Sequence, residues 1–184
     1  DTVIVHPSER GTVKQVLLKL GWPAEDLAGY VDGEAHAIEL FEDGWELRAY
    51  QREAVTNFWH GGSGVVVLPC GAGKTIVGEF AVHLALATGR KAFYTTPIKA
   101  LSNQKYHDLV ARYGADNVGL LTGDNTVNGE APVVVMTTEV LRNMLYADSP
   151  LLRDLSFVVM DEVHYLADRF RGAVWEEVII HLPQ

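Results

Sequence analysis

The chain has 184 residues, a formal net charge of −9, 48% hydrophobic and 21% charged residues, and one cysteine, Cys70. This composition excludes a disordered chain, and the lone cysteine excludes an internal disulfide and points to a reducing compartment, with the cytoplasm as the default. No apolar run approaches the roughly 20 residues that span a bilayer, so no membrane partner is expected. The acidic balance argues against a sequence-wide electrostatic grip on nucleic acid but leaves room for main-chain contacts, with weak affinity and steep salt sensitivity. The opening Asp1-Thr2-Val3 has neither a signal peptide's character nor an initiator Met, so a segment of something longer is expected.

In chain order, residues 1–44 read as a small α/β lead-in. Val3-Ile4-Val5 suits a short strand. Val13, Val16, Leu17 and Leu20 fall on one helical face, with Gly21 as its stop and Pro23 opening a second short helical pattern. None of these residues carries evident chemistry. Residues 45–184 form the main unit. A helix is expected from about Trp45 to Trp59, ended by Gly61-Gly62-Ser63-Gly64, followed by Val65-Val66-Val67-Leu68 as a buried parallel strand. A largely buried helix follows over Ile76 to Leu86.

Strands are then predicted over Lys91 to Thr95, Asn117 to Gly123, Pro132 to Met136 and Phe157 to Met160. Helices follow the strands that end at Thr95 and Met136, with Pro97 near the first turn of one and Thr137-Thr138 opening the other. Strands alternating with helices across residues 65–163 predict an α/β fold, a parallel sheet with helices on both faces.

Two stretches carry the chemistry. Leu68-Pro69-Cys70-Gly71-Ala72-Gly73-Lys74-Thr75 lies between a predicted strand and helix, the context of a phosphate-binding loop. Its glycines let backbone N–H groups converge on an anion, and the helix N-terminus adds positive potential. Lys74 would then reach the β- and γ-phosphates of ATP, and the Thr75 hydroxyl would bind Mg²⁺. The general pattern has glycine where this chain has Leu68, a relaxation common in helicases. The second stretch, Asp161-Glu162-Val163-His164, sits at the carboxyl end of a buried strand, where open α/β sheets bind ligands. Asp161 suits Mg²⁺, directly or through water, and Glu162 suits orienting and deprotonating the attacking water. His164 suits sensing of the nucleotide state or contact with a second domain.

Together these residues resemble superfamily-2 helicases over most of the chain. From Val13-Lys14-Gln15 through Leu47-Arg48-Ala49-Tyr50-Gln51 to Gly71, the chain is similar to actinobacterial XPB-type DNA repair helicases. From about Ile76 onward it is similar to Ski-like helicases. Thr95-Thr96-Pro97-Ile98-Lys99-Ala100-Leu101-Ser102-Asn103-Gln104 and Asp161-Glu162-Val163-His164-Tyr165-Leu166 carry that second likeness. A chimera of two related motors, joined within the phosphate loop, is therefore expected.

The resemblance implies a RecA-like P-loop domain with nucleotide contacts at Gln51, Gly71, Ala72, Gly73, Lys74, Thr75, Asp161 and Glu162. Gln51 would pair with the adenine edge. It implies backbone contacts to single-stranded DNA or RNA around Thr96, Pro97, Gln104, Gly123, Thr137 and Thr138, where strand-end turns present amides and hydroxyls. The same threonines equally suit helix capping.

Helicases of this class have a second motor domain that supplies arginines to the cleft, and the family's Ser-Ala-Thr strand lies beyond Gln184. The resemblance therefore implies an incomplete first domain with a gap in its sheet, marginal alone or self-associating through that gap. Two functions fit: the ATP-binding first motor domain of a helicase, or a non-catalytic nucleotide- or nucleic-acid-binding module with little turnover.

Overall fold

The computed structural model describes residues 47–61, 64–67, 73–168 and 171–182, together with Ile4, Val13, Val16, Leu17 and Leu20. Most of the lead-in and residues 68–72 of the phosphate loop lie outside that set. Within the lead-in, Val13, Val16 and Leu17 are helical, and the Leu20 N–H donates to the Val16 carbonyl at 3.0 Å. Val16 and Leu20 are exposed, although their spacing marks an apolar face.

The main unit begins with α1 (Ala49–Gly61), which packs on α2 (Lys74–Ala87). There follow β1 (Lys91–Thr96), α3 (Lys99–Tyr113), β2 (Val118–Leu121), β3 (Thr126–Val127), β4 (Val133–Thr137), α4 (Thr138–Tyr146), β5 (Leu155–Met160) and α5 (Gly172–His181). One sheet runs β3-β2-β4-β1-β5. All of its pairings are parallel except the short antiparallel β2–β3 ladder.

Alternation along the strands explains the two layers of helices. On one face Tyr94, Val118, Leu120, Val133 and Val135 pack with Val82 of α2 and Leu109 of α3. On the other, Phe93, Val134 and Met136 pack with Leu141 and Met144 of α4 and Val178 of α5. Consecutive residues of β1 and β4 thus serve opposite cores, as strands buried on both faces require. Crossover connections return each strand to the same direction, which brings the carboxyl ends of β1, β4 and β5 to one rim.

Local chemistry sets the helix ends. α2 is followed by Thr88, whose hydroxyl donates to the Leu84 carbonyl at 2.8 Å, and by Gly89 in the left-handed region at φ +65°. The Arg90 N–H then closes on the Ala85 carbonyl at 2.8 Å, so the last turn's acceptors are used. α3 begins at Lys99, which leaves Pro97 two residues ahead of the helix rather than in its first turn.

The expected strand at Val65-Val66-Val67-Leu68 is corrected. Residues 64–67 belong to no ladder, and Val65 and Val67 are 69% and 81% exposed. Inter-strand hydrogen bonds hold a strand in place, and among the described residues no strand lies beside this segment; β-branched side chains alone do not substitute for a partner. β5, by contrast, pairs with β1 at one edge of the sheet, and its apolar residues are only half-buried.

Candidate functional site

The carboxyl rim of the sheet and the start of α2 enclose a cleft of about 430 Å³. Thr75 lines it together with Asp161 and Glu162, and Glu79 of α2, Thr96 of β1 and a stretch of α3 that includes Gln104, Lys105 and Arg112 complete it. Residues far apart in sequence therefore converge because α2 crosses β1 and β5. At the head of α2, Gly73 takes the left-handed conformation, φ 74° and ψ 41°, and among the described residues no side chain caps the helix. The Ile76 N–H turns back to the Gly73 carbonyl at 3.0 Å, while the positive dipole end of the helix is left for an anion. Lys74 and Thr75 are both exposed in that first turn.

Gln51 sits behind the loop. It is 4% exposed; its Nε2 donates to the Gly73 carbonyl at 3.4 Å, and its Oε1 accepts from the Arg48 N–H at 3.0 Å. The expected adenine-reading amide is therefore engaged with the backbone at both ends of its own helix–loop junction.

Asp161 is the most firmly held group in the cleft. Its Oδ2 accepts the Tyr94 hydroxyl at 2.8 Å, its Oδ1 accepts the Glu162 N–H at 2.8 Å, and its own N–H donates to the Thr95 carbonyl at 3.0 Å. Each carboxylate oxygen thereby keeps one lone-pair direction for another partner. Burial, and then the adjacent Asp161 carboxylate, push the Tyr94 phenol well above its ordinary pKa, so it stays a donor.

Glu162 adopts φ 61° and ψ 45°, a left-handed conformation uncommon outside glycine, and a single 3₁₀ turn over Val163–Ala167 follows. The strand ends abruptly there and the chain turns within the cleft. The Glu162 Oε2 lies 3.1 Å from His164 Nδ1, and the His164 ring is exposed and tilted over Tyr165.

Among the described residues no three His, Cys, Asp or Glu side chains form a metal cage. Mg²⁺ needs none, since it commonly takes one or two protein oxygens and completes its shell with phosphate and water. A half-buried carboxylate with open lone pairs and an exposed hydroxyl at Thr75 lining the same cleft fit that demand.

The residues expected to touch nucleic acid divide into two groups. Gln104 and Gly123 are exposed. The hydroxyls of Thr96 and Thr138 are instead turned inward. Thr96 Oγ1 bonds Ser102 Oγ at 2.8 Å and the Ile98 carbonyl at 3.0 Å, and Thr138 Oγ1 donates to the Thr96 carbonyl at 3.3 Å. Thr137 is the N-cap of α4 but makes no side-chain cap bond, and Pro97 is buried. An unpartnered buried hydroxyl is costly, and bonds from β1 to the start of α3 and from α4 back to β1 satisfy these. Pro97 also offers its carbonyl to Arg171 at 3.0 Å.

Tyr94, Glu79 and Lys105 were not signalled as site residues by the sequence. The available cue for Tyr94 was its phenol within a predicted buried strand, because a buried tyrosine hydroxyl requires a partner.

Residues 48–184 match the family described as DEAD/DEAH box helicase. A probable helicase HelY of Mycobacterium tuberculosis (strain CDC 1551 / Oshkosh) is 69% identical over 139 residues, which cover 76% of this chain and 15% of that protein. A DNA 3'-5' helicase XPB of Kineococcus radiotolerans is 53% identical over 173 residues, 90% of this chain and 30% of the relative. The chain thus spans under a third of the length of these relatives. Among solved structures, a hypothetical ATP-dependent RNA helicase from Sulfolobus tokodaii superposes with a TM-score of 0.56 at 21% identity, over 75% of this chain and 43% of that one. At that identity the likeness speaks for the fold.

Proposed function

The chain belongs to the DEAD/DEAH box helicase family, and we propose that it is the ATP-binding first motor domain of a helicase or translocase acting on single-stranded nucleic acid. The observation that carries this reading is the convergence of Thr75 with Asp161 and Glu162 on one cleft at the open N-terminus of α2. Lys74 and the first-turn amides would hold the triphosphate, with Gly71 and Ala72 contributing backbone N–H groups. Thr75 and Asp161 would hold Mg²⁺, which would neutralise charge on the phosphates. Glu162 would orient water for attack on the γ-phosphate, and His164, 3.1 Å from its carboxylate, would couple that site to a neighbouring domain. Gln51 would act by supporting Gly73 as well as by reading adenine.

Exposed Gln104 and Gly123, with the amides of the turns after β1 and β4, would follow a nucleic-acid backbone without reading bases. A second motor domain would close the cleft and supply charge-stabilising arginines, in a division with residues 1–44 as lead-in and 45–184 as motor domain. The XPB likeness supports a DNA-repair setting. We also propose a chimera of two related motors joined near the phosphate loop. Comparing residues 1–75 and 76–184 separately tests that chimera; a single family matching both halves best rules it out.

A second reading, nucleotide binding with little turnover, is favoured by Val65 and Val67, which lie exposed and outside the sheet just before the loop they should anchor. The half-buried β5 edge supports self-association by strand pairing on the same grounds. ATP hydrolysis with and without single strands separates the readings. Turnover abolished by Glu162→Gln with binding retained supports the motor; no turnover in the unmodified chain supports the module.

A further inference from the structure

Tyr94 joins α2 to the end of β5. It lies on β1, is 1% exposed, and its hydroxyl donates to Asp161 Oδ2 at 2.8 Å. Its ring rests against α2 at the one place where that helix presents no side chain. A Cβ at Gly78 would stand 3.2 Å from Tyr94 Cε2, 3.4 Å from its Oη and 3.0 Å from Val159 Cγ1. Gly78 is one helical turn beyond Lys74, so the ring sets how closely the phosphate-binding helix approaches β1 and β5. The ring is also held from the side. Lys105 Nζ lies 5.2 Å from its centroid and 3.9 Å from a carboxylate oxygen of Glu79, which also pairs with Arg112.

We infer that Tyr94 is a positioning residue for metal-assisted nucleotide binding. Its hydroxyl fixes the Asp161 carboxylate while its ring, seated on Gly78, sets the spacing between α2 and the end of β5. The inference rests on the reading of Asp161 as a metal-holding group. With Oδ2 occupied by the phenol and Oδ1 by the Glu162 N–H, the carboxylate keeps one rotamer and directs its remaining lone pairs in fixed directions. A carboxylate free to rotate would lose that order each time a cation bound. A tyrosine kept only for packing would serve equally well as phenylalanine, so the hydroxyl alone distinguishes the two roles.

The test is calorimetric titration of ADP into the chain, in EDTA and across a Mg²⁺ series. Tyr94→Phe should bind ADP in EDTA as the unmodified chain does, within about twofold, yet need about tenfold more Mg²⁺ for half of the metal-dependent gain, the usual scale for loss of a ligand's supporting hydrogen bond. In an Asp161→Asn background the same change should add nothing, since its effect passes through that carboxylate. An unchanged Mg²⁺ requirement in a folded Tyr94→Phe overturns the inference. If that variant loses its fold, Gly78→Ala, which keeps the hydroxyl but crowds the ring, must raise the Mg²⁺ requirement; no shift there overturns it equally. An unmodified chain whose ADP binding ignores both Mg²⁺ and Lys74→Ala overturns the reading of the cleft itself, and the role of Tyr94 with it.

Discussion

Gln51 and Gly73 are locked together across 22 residues: the Gln51 amide donates to the Gly73 carbonyl, and a Cβ at position 73 would fall 2.6 Å from Gln51 Nε2. The loop therefore meets α2 through a residue whose left-handed conformation L-residues rarely adopt, and a side chain there would displace the Gln51 amide. Gly73→Ala should cost about 2 kcal/mol, combining left-handed strain of about 1–2 kcal/mol with the clash. Adding Gln51→Ala removes the clash and leaves the strain. The cost of Gly73→Ala measured in that background should be smaller, read by denaturant unfolding of the four chains.

Tyr94 gives a prediction at high pH. Its folded-state pKa is raised, so the stability tied to the neutral phenol is fully present below the unfolded tyrosine value near 10 and is lost as pH rises above it. Stability should fall above pH 10 by about 1.4 kcal/mol per pH unit from this group alone. Tyr94→Phe should flatten the unfolding free energy against pH in that window. Equal slopes in the two chains would show that the phenol ionises without hindrance.

Much of this architecture was legible in the sequence. The apolar, β-branched runs at Val133-Val134-Val135 and Phe157-Val158-Val159 are strands because both faces of the sheet are covered, and Lys74-Thr75 opens a helix where the glycines stop. The sequence also placed Asp161 and Glu162 at a strand end. Pairing partners were not legible. Val65-Val66-Val67 has the same composition as Val133-Val134-Val135, yet it lies outside the sheet, because strand formation depends on what lies alongside. The inward hydroxyls of Thr96 and Thr138 depend on a bond between β1 and α4 across 42 residues. The Tyr94–Asp161 bond spans 67 residues. No local periodicity carries either.

Lys99, at the start of α3, and Asp124 form an exposed ion pair. The Lys99 ammonium, as hydrogen-bond partner first, holds the Asp124 carboxyl below its ordinary value. The pair's contribution is present above the ordinary carboxylate range and lost as pH falls through the depressed folded-state value. Lys99→Met should return the Asp124 titration, followed by carboxyl NMR, upward toward the usual range while changing stability little, since exposed pairs contribute little.

β2 tolerates no side chain at Gly119, where a Cβ would lie 2.1 Å from the Asn128 carbonyl oxygen. That atom belongs to the backbone and cannot swing aside. Gly119→Ala should separate β3 from β2 and cost about 2–3 kcal/mol, seen as a lower denaturant midpoint and faster amide exchange in Thr126–Val127.

Whether the head of α2 is a triphosphate cradle completed by Asp161 and Glu162 is decided by titrating ATP with Mg²⁺ into the unmodified chain and into Lys74→Ala. Saturable binding is expected in the first and a loss of at least tenfold in the second, with both chains folded. Equal binding by the two would rule the cradle out.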